Sequence, residues 1–440
     1  MKKNRTFLHA LLLLPLAGHA FSDRPVHDFT AVGSPIPAAP ADPAIRQALK
    51  QISSAEIKQT IVTLVGFKNR STLGQGAVAA SAWIEAQFQQ DSKACGGCLD
   101  VERDTFTEKP QDRIPRPTVI SNVYAILRGK DPAQSKRMFL VTGHYDSRNS
   151  TNENTTDPAP GANDDASGVA VSLACARVLS KMQFPATLVF VAVAGEEQGL
   201  NGSRHLAQFA RSQGWQLEGV LNNDIVGGDT TPGDKFEDKG LVRVFSEQGA
   251  DNDSSSRQLA RAVVAAARTY TEPFRPMLEF RQDRFGRGGD HRSFNQEGFA
   301  AVRMTEWREN YNHQHQDVRV ENGVQYGDLP QYVDFAYTAN VARLNAATLA
   351  TLASAPPAPA DVKMSIASQD NSSVLSWSGP AGTTYQVLWR ETSAPDWQYS
   401  TTVQGNGIKL PVSHDNVIFA VRAVDQAGHT SLAVTPVAAR

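Results

Sequence analysis

Five short motifs in this chain combine histidines with carboxylates, and several close an apolar run: Gly143-His144-Tyr145-Asp146, Gly161-Ala162-Asn163-Asp164-Asp165, Gly195-Glu196-Glu197, Asn223-Asp224 and His313-Gln314-His315-Gln316-Asp317. Neutral imidazole and carboxylate together suit zinc. Two ions about 3.5–4 Å apart need one carboxylate between them and others to cap each ion. The motifs therefore outline a metal site.

Each motif also has a plainer reading. His144 alone is equally a hydrogen-bonded loop histidine, but Asp146, two residues on, can take the second imidazole N–H and fix the ring's tautomer. Asp164 and Asp165 lie in a glycine-flanked turn before a helix, where one can ligate and the other cap. Asp164 has the two oxygens that bridging two cations requires. Glu196 and Glu197 adjoin at the end of a strongly apolar run, where two carboxylates repel unless something positive compensates. Successive residues of extended chain point opposite ways, so one of the pair can bind metal while the other faces substrate as a general base. Asp224 and His313 complete a set giving each of two zinc ions one histidine and one terminal carboxylate. Zinc lowers the pKa of its water towards about 7, and the matching reaction is hydrolysis of an amide or ester.

Elements that could position these residues are visible. Short apolar runs at Asn122–Leu127, Met138–Thr142, Thr187–Ala194, Gly219–Asn222 and Ala300–Met304 read as strands buried on both faces. Helical patterns at Ala166–Lys181 and Ser255–Tyr270 alternate with them. Ser53 with Glu56 reads as a capping box opening a helix through Leu64, and Ala77–Phe88 as a second helix. The expected fold is α/β, a mostly parallel mixed sheet with helices on both faces. His144, the Glu196-Glu197 pair and Asp224 each follow a strand, so they converge at the carboxyl edge where open α/β sheets bind ligands.

The chain has 440 residues and a net charge of −2, with acids and bases interspersed. This argues against a nucleic-acid or anionic-membrane partner. Lys2, Lys3 and Arg5 precede the apolar stretch Phe7–Ala17 and a small-residue exit at Gly18-His19-Ala20, so residues 1–20 read as a signal peptide cleaved after Ala20. The apolar stretch is too short to span a bilayer comfortably, and the expected location is secreted or periplasmic. In an oxidising compartment Cys95 and Cys98 can close a local disulfide, leaving Cys175 as a buried helix residue. Residues 21–44 read as an N-terminal arm and 45–354 as the catalytic domain. Residues 355–440 read as a linker containing Pro356, Pro357 and Pro359, then a small β-sandwich with strands at Val374–Trp377, Thr384–Arg390, Ile408–Pro411 and Asn416–Val424.

From about Ile45 to Ala350, the ordered motifs His144-Tyr145-Asp146-Ser147, Gly161 to Gly168, Glu196 to Ser203, Asn223-Asp224, Gly289 to Phe294 and Asn312-His313 resemble the M28 family of co-catalytic zinc peptidases. The resemblance implies a zinc exopeptidase-like fold and two zinc ions per chain. It makes His144, Asp164, Glu197, Asp224 and His313 the ligands, with Asp164 bridging, Glu196 the general base, and Asp146 orienting His144. His291 would be a supporting or pocket residue. The implied activity is removal of N-terminal residues from peptides with a free N-terminus. Tyr311-Asn312-His313-Gln314-His315 departs from the family's usual Tyr-His-Thr, placing a second histidine beside the last ligand. Relatives of the same fold that cyclise N-terminal glutamine with a single zinc share much of the pattern, and a non-catalytic surface-binding protein is the remaining alternative. Trp377, Tyr385 and the run Phe419–Gly428 resemble a fibronectin type III domain, which implies a surface or polymer contact.

Overall fold

The computed structural model describes residues 32–249, 253–367 and 370–440; the segment read as a signal peptide lies outside them. After a two-residue strand β1 (Ser34–Pro35) come helices α1 (Pro43–Leu49), α2 (Ser54–Val65) and α3 (Gln75–Ala94), then strands β2 (Leu99–Glu108), β3 (Thr118–Leu127) and β4 (Arg137–His144). Helix α4 (Ala166–Leu179), β5 (Thr187–Val193), α5 (Asn201–Ser212), β6 (Gln216–Asn223) and β7 (Leu241–Ser246) follow. Then come α6 (Ser255–Tyr270), β8 (Arg275–Glu279), α7 (His291–Gln296), β9 (Ala301–Glu306), the small hairpin β10 (Arg319–Glu321) and β11 (Val324–Tyr326), and α8 (Phe335–Ser354).

Eight strands form one mixed sheet in the order β2-β3-β5-β4-β6-β9-β7-β8. The central four, β5, β4, β6 and β9, run parallel. Strand β3 joins β5 antiparallel, and β7 joins β9 antiparallel. Period-two alternation explains the helices on both faces. Phe139 and Val141 of β4, with Leu188, Phe190 and Ala192 of β5, enter the core under α2, α3, α4 and α8. Their neighbours Met138, Leu140, Val189, Val191 and Val193 enter the opposite core under α5 and α7. Ser53 caps α2 as the spacing predicts, accepting Glu56 N–H at 3.2 Å, while Glu56 takes the Ser53 hydroxyl at 3.1 Å rather than the backbone N–H that a full capping box uses. Cys95 and Cys98 are disulfide-bonded, and Cys175 is buried in α4.

Beyond α8 the chain makes a two-sheet sandwich from β12 (Ala360–Ser365), β13 (Ser373–Ser378), β14 (Thr384–Glu391), β15 (Tyr399–Gln404), β16 (Gly407–Leu410), β17 (Val417–Val424) and β18 (Val437–Ala439). One sheet is β16-β13-β12-β18; the other is β1-β15-β14-β17, so the N-terminal arm contributes an edge strand. Trp377, Tyr385, Trp389 and Phe419 fill the space between the sheets. The sandwich is anchored to α6 through a buried charge cluster: Asp253 lies 3.0 Å from Arg261 and 3.1 Å from Arg390 of β14. Both guanidiniums pack over Trp397.

Candidate metal centre

The parallel register fixes the site. His144, the last residue of β4, lies opposite Val193 at the end of β5, and Thr142 lies opposite Asn222 near the end of β6. The residues just beyond these ends therefore meet at one sheet edge. Gly195, at φ +73°, turns the chain so that Glu196 and Glu197 follow β5 directly. Gly168 lets α4 approach β6, since an added Cβ would lie 2.2 Å from the Asn223 carbonyl oxygen.

Two groups of ligand-type atoms result, and they share Asp164. In the first, His144 Nε2 lies 3.1 Å from Asp164 Oδ1 and 3.8 Å from Asp224 Oδ1. In the second, His315 Nε2 lies 2.9 Å from Asp164 Oδ2 and 3.1 Å from Glu197 Oε2. Ligand atoms placed about 2.0–2.1 Å from a tetrahedral zinc are separated by about 3.3 Å, which these distances bracket. His144 Nε2 and Glu197 Oε1 are buried yet make no hydrogen bond among the described residues. Burial alone would lower both imidazoles, but Asp146, Asp164 and Asp224 raise His144 well above its usual value, and Glu197 and Asp164 push His315 up to about 10. The converging carboxylates favour positive charge at these imidazoles, a place that suits a cation. The donor set thus fits the group that its chemistry implies.

The expectation for the last ligand is corrected here. His313 turns away from both groups: its Nδ1 pairs with Asp229, and its ring stacks on Tyr332 at 4.0 Å. His315 takes the inward position, because its backbone is left-handed at φ +55° and redirects the side chain. Asp146 differs in detail from its expected role. Its carbonyl oxygen lies 3.1 Å from His144 Nδ1 and its carboxylate 3.5 Å away, while the carboxylate accepts the backbone N–H groups of Glu196 and Glu197 at 3.3 and 3.2 Å. Asp146 therefore ties the end of β4 to the turn after β5. Asp165 caps α4 through Gly168 N–H at 2.9 Å and accepts His144 N–H at 2.9 Å. Glu196 lines a cleft of about 570 Å³ that opens beside the second group, and burial raises its carboxyl well above the ordinary value. His291 is fully buried beneath the site, its Nε2–H donating to the Gln282 carbonyl oxygen at 2.7 Å, and burial lowers it to about 4.

Three supporting residues escaped the sequence reading. Arg303, fully buried on β9, lies 3.0 Å from the outer oxygen of Asp224 and 3.5 Å from Asp283. An arginine inside the apolar run Ala301–Met304 was the available signal. Asp328 accepts the backbone N–H groups of Asn163 and Asp164 at 2.8 and 2.7 Å and holds the bridging turn. Arg148 donates to Glu197 at 3.0 Å and lies 2.6 Å from His315 Nδ1. A cation on Nε2 would leave the hydrogen on Nδ1, so Arg148 must then turn wholly towards its carboxylate and amide partners.

Comparison with known proteins places the chain. Residues 122–327 match the model of peptidase family M28. A protein of Pyrenophora tritici-repentis named "Probable zinc metalloprotease" is 40% identical over 92% of this chain and 89% of its own length. Among solved structures, the LapA aminopeptidase of Legionella pneumophila superposes with a TM-score of 0.55 at 22% identity, over 74% of this chain and 79% of that one. The glutaminyl cyclase of Porphyromonas gingivalis superposes with a TM-score of 0.50 at 19% identity, over 68% and 97%. The chain belongs to peptidase family M28 and is a hydrolase of the metallopeptidase class.

Proposed function

We propose that this protein is an exported aminopeptidase that holds two zinc ions and removes N-terminal residues from peptides. The observation that carries the proposal is Asp164, whose two oxygens each face a different histidine, as a carboxylate shared by two ions must. His144 and Asp224 would hold one ion, and Glu197 and His315 the other. Bound there, zinc supplies Lewis acidity to the scissile carbonyl and brings water's pKa towards neutrality. Glu196, facing the cleft beside Glu197, accepts the proton of the attacking water and delivers it to the departing amine. Asp146 keeps Glu196 and His144 in register, its carboxylate accepting the Glu196 backbone N–H and facing His144 Nδ1. Export rests on the segment Met1–Ala20 and agrees with the Cys95–Cys98 disulfide.

Zinc analysis of the purified full chain, together with assays of aminoacyl amides and of N-terminal glutaminyl peptides, tests this reading. Two zinc ions with release of N-terminal residues support it. One zinc with cyclisation of glutamine would replace it with a glutaminyl cyclase of the same fold.

A further inference from the structure

The cleft beside the clusters is lined by Arg113, Arg148, Arg287 and Arg292 against only two carboxylates, Glu196 and Glu197. Arg148 is paired with Glu197. Arg287 reaches Glu309 at 2.9 Å, a carboxylate that also serves Arg243 at 3.0 Å and Arg284 at 2.8 Å, the last of these having Asp283 at 3.1 Å besides. Arg292 forms no ion pair among the described residues, and its Nε is buried without a hydrogen-bond partner. Its guanidinium lies against Gly288, where an added Cβ would fall 2.7 Å from Nη1. Among the described residues Arg113 has only the exposed Asp112 carboxylate, 4.0 Å away, and donates to the Glu197 carbonyl oxygen at 3.1 Å. A water-exposed guanidinium needs no partner, but several lining one cleft raise its potential and favour anions.

We infer that Arg113 and Arg292 form a carboxylate-binding subsite, so that the peptides this cleft prefers carry an anionic group beyond the bond to be cut. The inference rests on the peptidase reading above and deepens it. A substrate's ammonium group finds negative charge only on the cluster side, at Glu196 and Glu197, and its carboxylate finds the guanidinium wall. Arginine's planar fork suits a carboxylate and holds it through charge-assisted hydrogen bonds. The anionic group is either the C-terminal carboxylate of a short peptide or an acidic side chain.

The experiment compares the zinc-loaded full chain on alanyl-alanine amide against alanyl-alanine with its free carboxylate, and on alanyl-glutamate α-amide, whose side-chain carboxylate is free, against alanyl-glutamine amide. A KM lower by roughly tenfold for the free dipeptide assigns the C-terminal carboxylate, and the same gain of glutamate over glutamine assigns the side chain, tenfold being about the worth of one charge-assisted hydrogen bond. Arg292→Gln and Arg113→Gln should raise the favoured KM by a similar factor and bring the ratio of charged to neutral substrate near one, with Arg292→Lys recovering part of it. Equal or higher KM for both charged substrates, or a preference that survives both glutamine variants, overturns the subsite. If no peptide is cut, the peptidase reading itself falls, and glutarate binding to the chelator-treated full chain still decides the subsite. Binding weakened about tenfold by Arg292→Gln supports it, and binding that is absent or unchanged overturns it.

Discussion

At the residue scale, four proposed ligands were legible because each stands where its chemistry conflicts with its surroundings. His144, Glu197 and Asp224 end or follow strands that are otherwise apolar, and Asp164 sits in a glycine-flanked turn. His313 and His315 could not be separated that way, since both lie in a polar loop with no strand to orient them. The left-handed backbone at His315 and the Asp229 partner of His313 decide between them. His315→Ala should therefore lose one zinc and most turnover, whereas His313→Ala keeps both ions; metal analysis of the two purified variants checks this. Glu196→Gln removes only the proton acceptor, so zinc content should stay at the wild-type level while kcat falls by about 10²–10⁴. A variant with near-normal kcat would take Glu196 out of the mechanism. Arg303 bears on stability as well as on Asp224. Removing one member of a buried charge cluster costs about 3–5 kcal/mol, so Arg303→Met should lower the unfolding midpoint sharply and weaken zinc retention, read by denaturant titration and metal analysis.

At the element scale, the central strands and the helices α2, α3, α4 and α6 were readable from apolar runs and caps, whereas α1, α5, α7 and α8 were not. The edge strands β2 and β8, and β7 beside the latter, were not. Strand β2, Leu99–Glu108, is largely polar and exposed, buries only part of one face under α3, and so lacks the continuous apolar run that marks a fully covered strand. The connection between β4 and α4 shows why element ends matter more than element interiors here. Asp165 at once caps α4 and accepts the backbone N–H of His144. Asp165→Ala should cost about 1 kcal/mol for the cap and about 1–3 kcal/mol more for the orphaned buried N–H. Thermal unfolding of the variant with and without added zinc measures the loss; a midpoint equal to wild type would show that another group satisfies both donors.

At the scale of the whole molecule, every proposed ligand precedes residue 354, yet the sandwich is not an appendage. Arg390 reaches the buried Asp253, and the N-terminal arm adds a strand to one of its sheets. The Pro-rich stretch after Ser354 read as a linker, and sequence alone held no sign that a buried charge cluster bridges across it. A chain ending at Ser354 should keep its zinc and its turnover of small aminoacyl amides at low temperature but unfold at a lower midpoint, because α6 loses Arg390 and Trp397. Calorimetry beside an amidase assay separates the two effects. The central claim is that Asp164 is shared by two ions whose outer ligands are His144 with Asp224 and Glu197 with His315. Anomalous diffraction at the zinc edge from crystals of the full chain tests it most directly. The predicted result is two peaks about 3.5–4 Å apart, one on each side of Asp164. A single peak, or a second peak at His313 and Asp229, would contradict it.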